Sequence, residues 1–260
     1  PAEGKPWYEY RPIFVTKKRT EGGIEFWKKN AIALARAEEK YGVPREIIVA
    51  IIGVETRYGK HAGRYPVFDS LATLAFAYPP RASFFKSELE QFLLMTREEN
   101  IAPATLFGSY AGAMGMPQFI ASSFRRYAVD FDGDGKRDLW NNPTDAIGSV
   151  ANYFRKHHWK SGQPITHKVQ VHGKRHNSLI SKDLKPSHSQ QELLNNGVIL
   201  PGQIQENLNG KLLRLKNPRT PEYWVAWDNF YVITRYNHSA LYSMAVYQLS
   251  QQIKQGYLKL

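Results

Sequence analysis

Glu55 carries the clearest chemical signal in the chain. It lies in residues 44–59, Pro-Arg-Glu-Ile-Ile-Val-Ala-Ile-Ile-Gly-Val-Glu-Thr-Arg-Tyr-Gly. Pro44 suits the first position of a helix, and Gly59 suits the left-handed residue that ends one. The segment is apolar almost all the way round, the pattern of a buried helix. Ile52, Ile51 and Ile48 precede Glu55 by three, four and seven residues, so on a helix the carboxyl shares their face. Desolvation by that face and the negative end of the helix dipole both disfavour the charged form. A carboxyl that keeps its proton near neutral pH is what a general acid requires. The competing reading is a structural ion pair with Arg57, Arg64 or another arginine. The helix alone does not choose between them.

Two other segments have chemical potential. Residues 108–120 read Gly-Ser-Tyr-Ala-Gly-Ala-Met-Gly-Met-Pro-Gln-Phe-Ile. Their glycines permit unusual backbone angles or the close approach of a ligand. No Gly-Lys-Ser/Thr follows, and the dinucleotide spacing is missing, so this is neither a phosphate loop nor a dinucleotide loop. Ser109 and Gln118 are neutral hydrogen-bonding groups of the type that orients a sugar or an amide. A tight turn between packed helices remains the alternative.

Residues 130–140 read Asp-Phe-Asp-Gly-Asp-Gly-Lys-Arg-Asp-Leu-Trp. Asp130, Asp132, Asp134 and Asp138 occupy positions 1, 3, 5 and 9 of an EF-hand calcium loop, with Gly135 at position 6. Lys136, at position 7, would offer only its backbone carbonyl. Asn141 replaces the bidentate glutamate of position 12, and Asp145 closes the shell if the loop is longer than usual. Such a cation would clamp the fold and take no part in chemistry. The alternative is a solvated acidic turn, although four unneutralised aspartates so close together would repel one another.

Composition narrows the function classes. A chain of 260 residues, 42% hydrophobic and 22% charged, is of ordinary globular type. No apolar run approaches the ~18 residues of a membrane-spanning helix. The absence of cysteine removes disulfides, thiolate metal sites and cysteine nucleophiles. His172 and His176 lack an accompanying ligand pattern, and no Gly-x-Ser-x-Gly elbow marks a serine hydrolase. The net charge of +12 suits a polyanionic partner such as nucleic acid, an anionic surface or an acidic polymer.

The elements that must position these residues are mostly helical. Residues 1–20 read as an irregular arm or short strand, and 24–41 as one amphipathic helix closed by Gly42. A short helix capped by Asp69 or Ser70 stops at Pro79-Pro80. A longer one spans 84–99, with Leu89, Phe92, Leu93 and Thr96 on one side. Another runs from Asn142-Pro143 to about residue 158, with Ile147, Val150, Ala151 and Phe154 inward and Tyr153 beside them. From 161 onward, 165–172, 211–216 and 224–236 read as strands, and 239–257 as a closing helix. The fold class is mainly α, of α+β type.

Together these segments closely resemble the membrane-bound lytic transglycosylase B family of bacterial cell-wall enzymes. The matching stretches are 51–59, 108–119, 130–135, 146–154 and 229–237, in order across most of residues 24–250, with the poorest match over 160–220. The resemblance implies a lysozyme-like core, with an EF-hand-like calcium loop, a helical lobe and a small β subdomain. The expected division is an arm and helical lobe (1–43, completed by 238–260), a catalytic core (44–158) and a β-containing subdomain (159–237). It further implies cleavage of the β-1,4 bond between N-acetylmuramic acid and N-acetylglucosamine without water, leaving a 1,6-anhydro ring. Glu55 falls on the family's single acid/base. Ser109, Gln118, Tyr153, Tyr231, Tyr236 and Asn237 fall on substrate-positioning residues. Asp130, Asp132, Asp134, the Lys136 carbonyl and Asp145 fall on a structural calcium site.

The expected partner is therefore the peptidoglycan glycan strand and not nucleic acid, met by a monomer in the periplasm or cell envelope. A lipid anchor on an upstream segment would associate it with the outer membrane. Two alternatives stand beside this reading. One is a muramidase-type hydrolase with Asp69 or another acid as the second carboxylate that hydrolysis requires. The other is a non-catalytic, calcium-dependent wall-binding protein.

Overall fold

Of the twelve residues of the helix Arg45–Thr56, only Arg45 and Glu55 keep partial exposure; the other ten are buried. That largely apolar helix lies in the core of one of two compact units in a mainly helical structure. The computed structural model describes residues 2–260. In chain order the first helices are Trp7–Phe14 (α1), Lys17–Lys29 (α2), Ala31–Tyr41 (α3) and Arg45–Thr56 (α4). A ribbon of Tyr65–Pro66 (β1) and Phe107–Gly108 (β2) brackets Val67–Ala77 (α5) and Ala82–Glu98 (α6). Ala121–Tyr127 (α7) and Pro143–Lys156 (α8) follow. The later part holds Thr166–Val171 (β3), His188–Ser189 (β4), Gln190–Asn195 (α9), Val198–Ile199 (β5), Asn209–Leu215 (β6) and Glu222–Ala226 (β7). Asp228–Tyr236 (α10) and Ala240–Tyr257 (α11) close the chain.

The chain forms two compact units, each drawn from separate stretches: residues 1–17 with 157–252, and residues 18–156 with 253–260. These boundaries differ from the three-part division expected from sequence, which kept 1–43 together with the C-terminal helix. In the first unit an antiparallel sheet has the order β4-β6-β7-β3-β5. One side closes over Val169, Leu193, Leu212, Val225 and Trp227. Trp7 and Tyr10 of α1 are buried, and Arg11 donates to Gln248 at 2.6 Å. Among the described residues, no helix is long and apolar enough to cross a membrane.

Several local expectations give way. Residues 2–20, expected as an irregular arm or short strand, are largely helical, because Trp7 and Tyr10 supply a buried face at helical spacing and Pro12 is tolerated within α1. The helix expected over 24–41 is two helices broken at Asn30, whose side chain donates back to the Phe26 carbonyl at 2.9 Å. Residues 224–236 are strand only to Ala226. There Trp227 N–H makes the last cross-strand bond, to the Ile165 carbonyl, and Asn229 binds the backbone of Lys160 and Gln163. The aromatic and β-branched run that follows forms α10, burying Phe230, Val232 and Ile233. In α6 the inward residues are Phe85, Glu88, Phe92, Met95 and Thr96, while Leu93 faces out.

Candidate active site

Glu55 stands one residue before the end of α4, half-buried, above Ile48, Ile51 and Ile52, each fully buried. The helix ends earlier than sequence suggested. Arg57, not Gly59, is its left-handed cap, and Pro44 is extended just before the first turn. Arg57, Tyr58 and Gly59 have φ of 49°, 62° and 86°, three left-handed residues in a row. Non-glycine residues adopt that region at a cost and persist there where surrounding contacts over-determine them.

Thr56 joins this end to the glycine-rich segment. Its buried hydroxyl donates to the Met116 carbonyl at 2.8 Å and accepts the Gly59 N–H at 3.0 Å. The Gln118 amide donates to the carbonyls of Ala62 and Gly115, both at 3.0 Å. Gln118 itself is left-handed, with φ of 53°. Gly63 packs so tightly on the Gly108 backbone that a Cβ there would lie 2.1 Å from its carbonyl. Gly115, at φ 71°, meets the Leu139 carbonyl in the same way. The Ser109 hydroxyl oxygen accepts the N–H groups of Ala111 and Ala113 at 3.3 and 3.0 Å. The α4 end and the 108–118 segment are thus one hydrogen-bonded assembly, holding Glu55, Ser109 and Gln118 in the second unit.

Tyr153 belongs to the same unit but is only 8% exposed. Its ring packs on Phe119 and Tyr127, at centroid distances of 5.7 and 4.9 Å. It therefore adjoins the glycine-rich segment through Phe119. Tyr231, Tyr236 and Asn237 lie in the first unit: Tyr231 near the start of α10, Tyr236 at its end and Asn237 at its C-cap. All three are half-exposed, and the Arg235 guanidinium covers the Tyr231 ring at 4.3 Å.

The acidic loop brings one carboxylate oxygen each of Asp130, Asp132, Asp134 and Asp145 within 4.8 Å of one another. Gly133 and Gly135, at φ 81° and 89°, make the turn. Asp145 is wholly buried in the first turn of α8. Its two oxygens accept Phe131 N–H at 2.7 Å and Asp138 N–H at 2.9 Å. Burial, with a smaller push from the Asp132 charge, moves its carboxyl above the usual range. Asp132 is shifted the other way, chiefly by the Asn142 amide bonded to it at 2.7 Å. Lys136 is exposed, and its N–H donates to Asp134. Asp138 instead accepts the N–H groups of Trp140 and Asn141. Converging hard oxygens around a buried carboxylate fit a calcium ion.

Sequence reasoning missed Thr56, Tyr58 and the exposed rings along the ribbon: Tyr65, Phe107 and Tyr110, 46%, 49% and 70% exposed. Interior helix glycines at 22, 23 and 53 were the available signal for Tyr58, since each needs a packing reason.

A buried helix that presents one half-open acid against a glycine-rich segment, in a mainly helical α+β chain, defines a lysozyme-like enzyme fold. The chain matches the transglycosylase SLT domain over residues 1–251. It belongs to that family, the lytic murein transglycosylases, enzymes that cleave peptidoglycan. It is 47% identical over 247 residues to membrane-bound lytic murein transglycosylase B of Escherichia coli K12, covering 95% of this chain and 67% of that protein. Soluble lytic transglycosylase SltB1 from Pseudomonas aeruginosa superposes with a TM-score of 0.93 at 51% identity, covering 97% and 84% of the two chains. The Escherichia coli lytic transglycosylase Slt35 in complex with calcium gives 0.90 at 46%, covering 97% and 79%. SltB3 from Pseudomonas aeruginosa in complex with NAG-NAM-pentapeptide gives 0.88 at 34%, covering 97% and 68%.

Proposed function

We propose that this chain cleaves the β-1,4 bond between N-acetylmuramic acid and N-acetylglucosamine without water, with Glu55 as sole general acid and base. The observation that carries the reading is the placement of Glu55. It is the one acid at the open end of an otherwise buried helix, beside a segment of neutral hydrogen-bonding groups. Glu55 donates its proton to the glycosidic oxygen as the C1–O bond breaks. It then takes the proton of the sugar's C6 hydroxyl as that oxygen closes onto C1, giving the 1,6-anhydro ring and restoring the acid. One group serves both steps, so no second carboxylate is needed to activate water.

In this reading Ser109 and Gln118 orient the sugar. The Ser109 oxygen is taken by backbone N–H groups, which leaves its hydroxyl proton to donate. Tyr153 supports Phe119 and the loop that ends there. Tyr231 and Tyr236 on α10, with Asn237 at its C-cap, are further glycan contacts proposed for the first unit, and residues 44–158 are the catalytic core. Exposed Tyr65, Phe107 and Tyr110 suit stacking on sugar rings. Asp130, Asp132, Asp134, Asp145 and the Lys136 carbonyl would hold calcium, which supplies charge compensation that fixes the loop. The setting is the periplasm or cell envelope, and the net charge of +12 suits an acidic glycan. Mass spectrometry of fragments released from peptidoglycan tests the reaction. Products one water lighter than the hydrolytic ones are expected, and reducing-end muramic acid would overturn it.

A further inference from the structure

We propose that Tyr58 is the positioning residue of the Glu55 acid, held by a cradle of three glycines; this rests on the reading of Glu55 given above. Tyr58 follows Glu55 by three residues at the centre of the left-handed run. Its ring does not turn to solvent. It lies on Gly22 and Gly23 of α2 and on Gly53 of α4. A Cβ at Gly22 would lie 2.9 Å from the ring, one at Gly23 2.6 Å from its hydroxyl, and one at Gly53 2.5 Å from the same hydroxyl. The Phe26 ring closes another side at 5.6 Å. At the end of the slot, the Tyr58 hydroxyl donates to the Arg19 carbonyl at 2.7 Å. Burial pushes its pKa far above the ordinary phenol range, so that donor is intact across the working pH range.

The consequence is mechanical. A helix end carrying a partly open acid would normally fray. Here the first residues past the end are pinned into a slot between two helices. The turn they form returns Gly59 N–H to the Thr56 hydroxyl, and Thr56 grips the Met116 carbonyl. Tyr58 therefore fixes the direction in which the last turn of α4 presents Glu55 to the glycine-rich segment. It does so without touching substrate. The cradle also accounts for Gly22 inside α2 and, together with the Ile253 side chain, for Gly23 beside it, where nothing in local helix formation calls for them.

The test compares Tyr58→Phe, Gly53→Ala, their combination and Glu55→Gln on soluble glycan strands, with folding checked by circular dichroism and melting. Tyr58→Phe keeps the ring and loses only the anchor. It should lower kcat about tenfold with KM within about twofold, because small misplacements of a reacting group cost rate and not binding. Gly53→Ala displaces the ring and should lower kcat about 100-fold. The double variant should lose less than the product of the two, since removing the hydroxyl relieves the clash that the added methyl group creates. The alkaline limb of the kcat profile should move to lower pH in both single variants as the acid gains access to water, a change that loss of stability alone would not produce. Unchanged kcat and pH profile in folded Tyr58→Phe, with Glu55→Gln inactive, overturns the role of Tyr58 and leaves that of Glu55. Turnover by Glu55→Gln overturns the underlying reading. If Gly53→Ala does not fold, Tyr58→Phe decides alone.

Discussion

Glu55 and Asp145 are both carboxylic acids on buried helices, yet they occupy opposite ends and opposite environments. Asp145 lies in the first turn of α8, wholly buried, with each oxygen fixed by a backbone N–H. The positive end of the helix favours its charge, while burial opposes it. Glu55 lies in the last turn of α4, half-open. The first arrangement suits a charge held permanently for a cation. The second suits a proton given and taken back. On the proposed reading, a structural acid differs from a chemical one in which helix end bears it and whether water and substrate can reach it.

Variants should separate the two in kind. The largest effect is expected for Glu55→Gln, which should cut release of soluble fragments from peptidoglycan by about 1,000-fold or more, as removal of a general acid/base does. Its melting temperature should stay near that of the parent. Retained turnover would make Glu55 no more chemical than Asp145.

Calcium should act through the other acid. At about 100 times its dissociation constant, it should add about 2.7 kcal/mol of stability, read as a rise of several degrees in Tm. Asp145→Asn should abolish that rise and leave chemistry largely intact. The pH dependence follows from the raised Asp145 carboxyl. Without metal, the native state holds this proton more tightly than the unfolded chain does. Stability is then fully present below the ordinary carboxylate pKa and is lost as pH rises through the folded value. Calcium should flatten that slope. A melting temperature indifferent to calcium and chelator would contradict the assignment.

A smaller effect should come from Thr56→Val, which removes the bond to Met116 and the acceptor for Gly59 N–H. About 1–3 kcal/mol of stability should be lost, together with some activity. Loss of stability with full activity would show that this link does not position Glu55.

The smallest effect is expected at His167, whose Nδ1 accepts the Trp227 indole N–H at 2.8 Å and whose pKa is lowered by burial. The native state resists protonation here. The contribution is present above the ordinary imidazole pKa and is lost as pH falls through the folded value. His167→Gln should weaken the acid-side fall in stability of the first unit, followed by the near-ultraviolet signal of Trp227.

The sequence disclosed features whose cause is local. The apolar run of α4, the close-approach glycines of 108–115 and the alternating aspartates of 130–134 all carry their geometry in adjacent residues. Asp145 could be paired with those aspartates because Asn141 leaves the shell one carboxylate short, a place that a later acid can fill. What sequence hid depends on distant partners. Residues 228–236 have strand-like composition, yet Asn229 binds the Lys160 and Gln163 backbone at their start and commits them to helix. The left-handed Tyr58 was equally hidden. Its stabilisation comes from Gly22 and Gly23, more than thirty residues away, glycines that each cost a helix about 1 kcal/mol unless something fills the space.

The most direct test of the central claim is digestion of peptidoglycan in water enriched in heavy oxygen, with the released sugars weighed. Intramolecular closure by the C6 hydroxyl predicts muramic acid ends that carry no label and are one water lighter. Label at the anomeric oxygen of the muramic acid product would mean that water attacks C1, and that Glu55 works as the acid of an ordinary hydrolase.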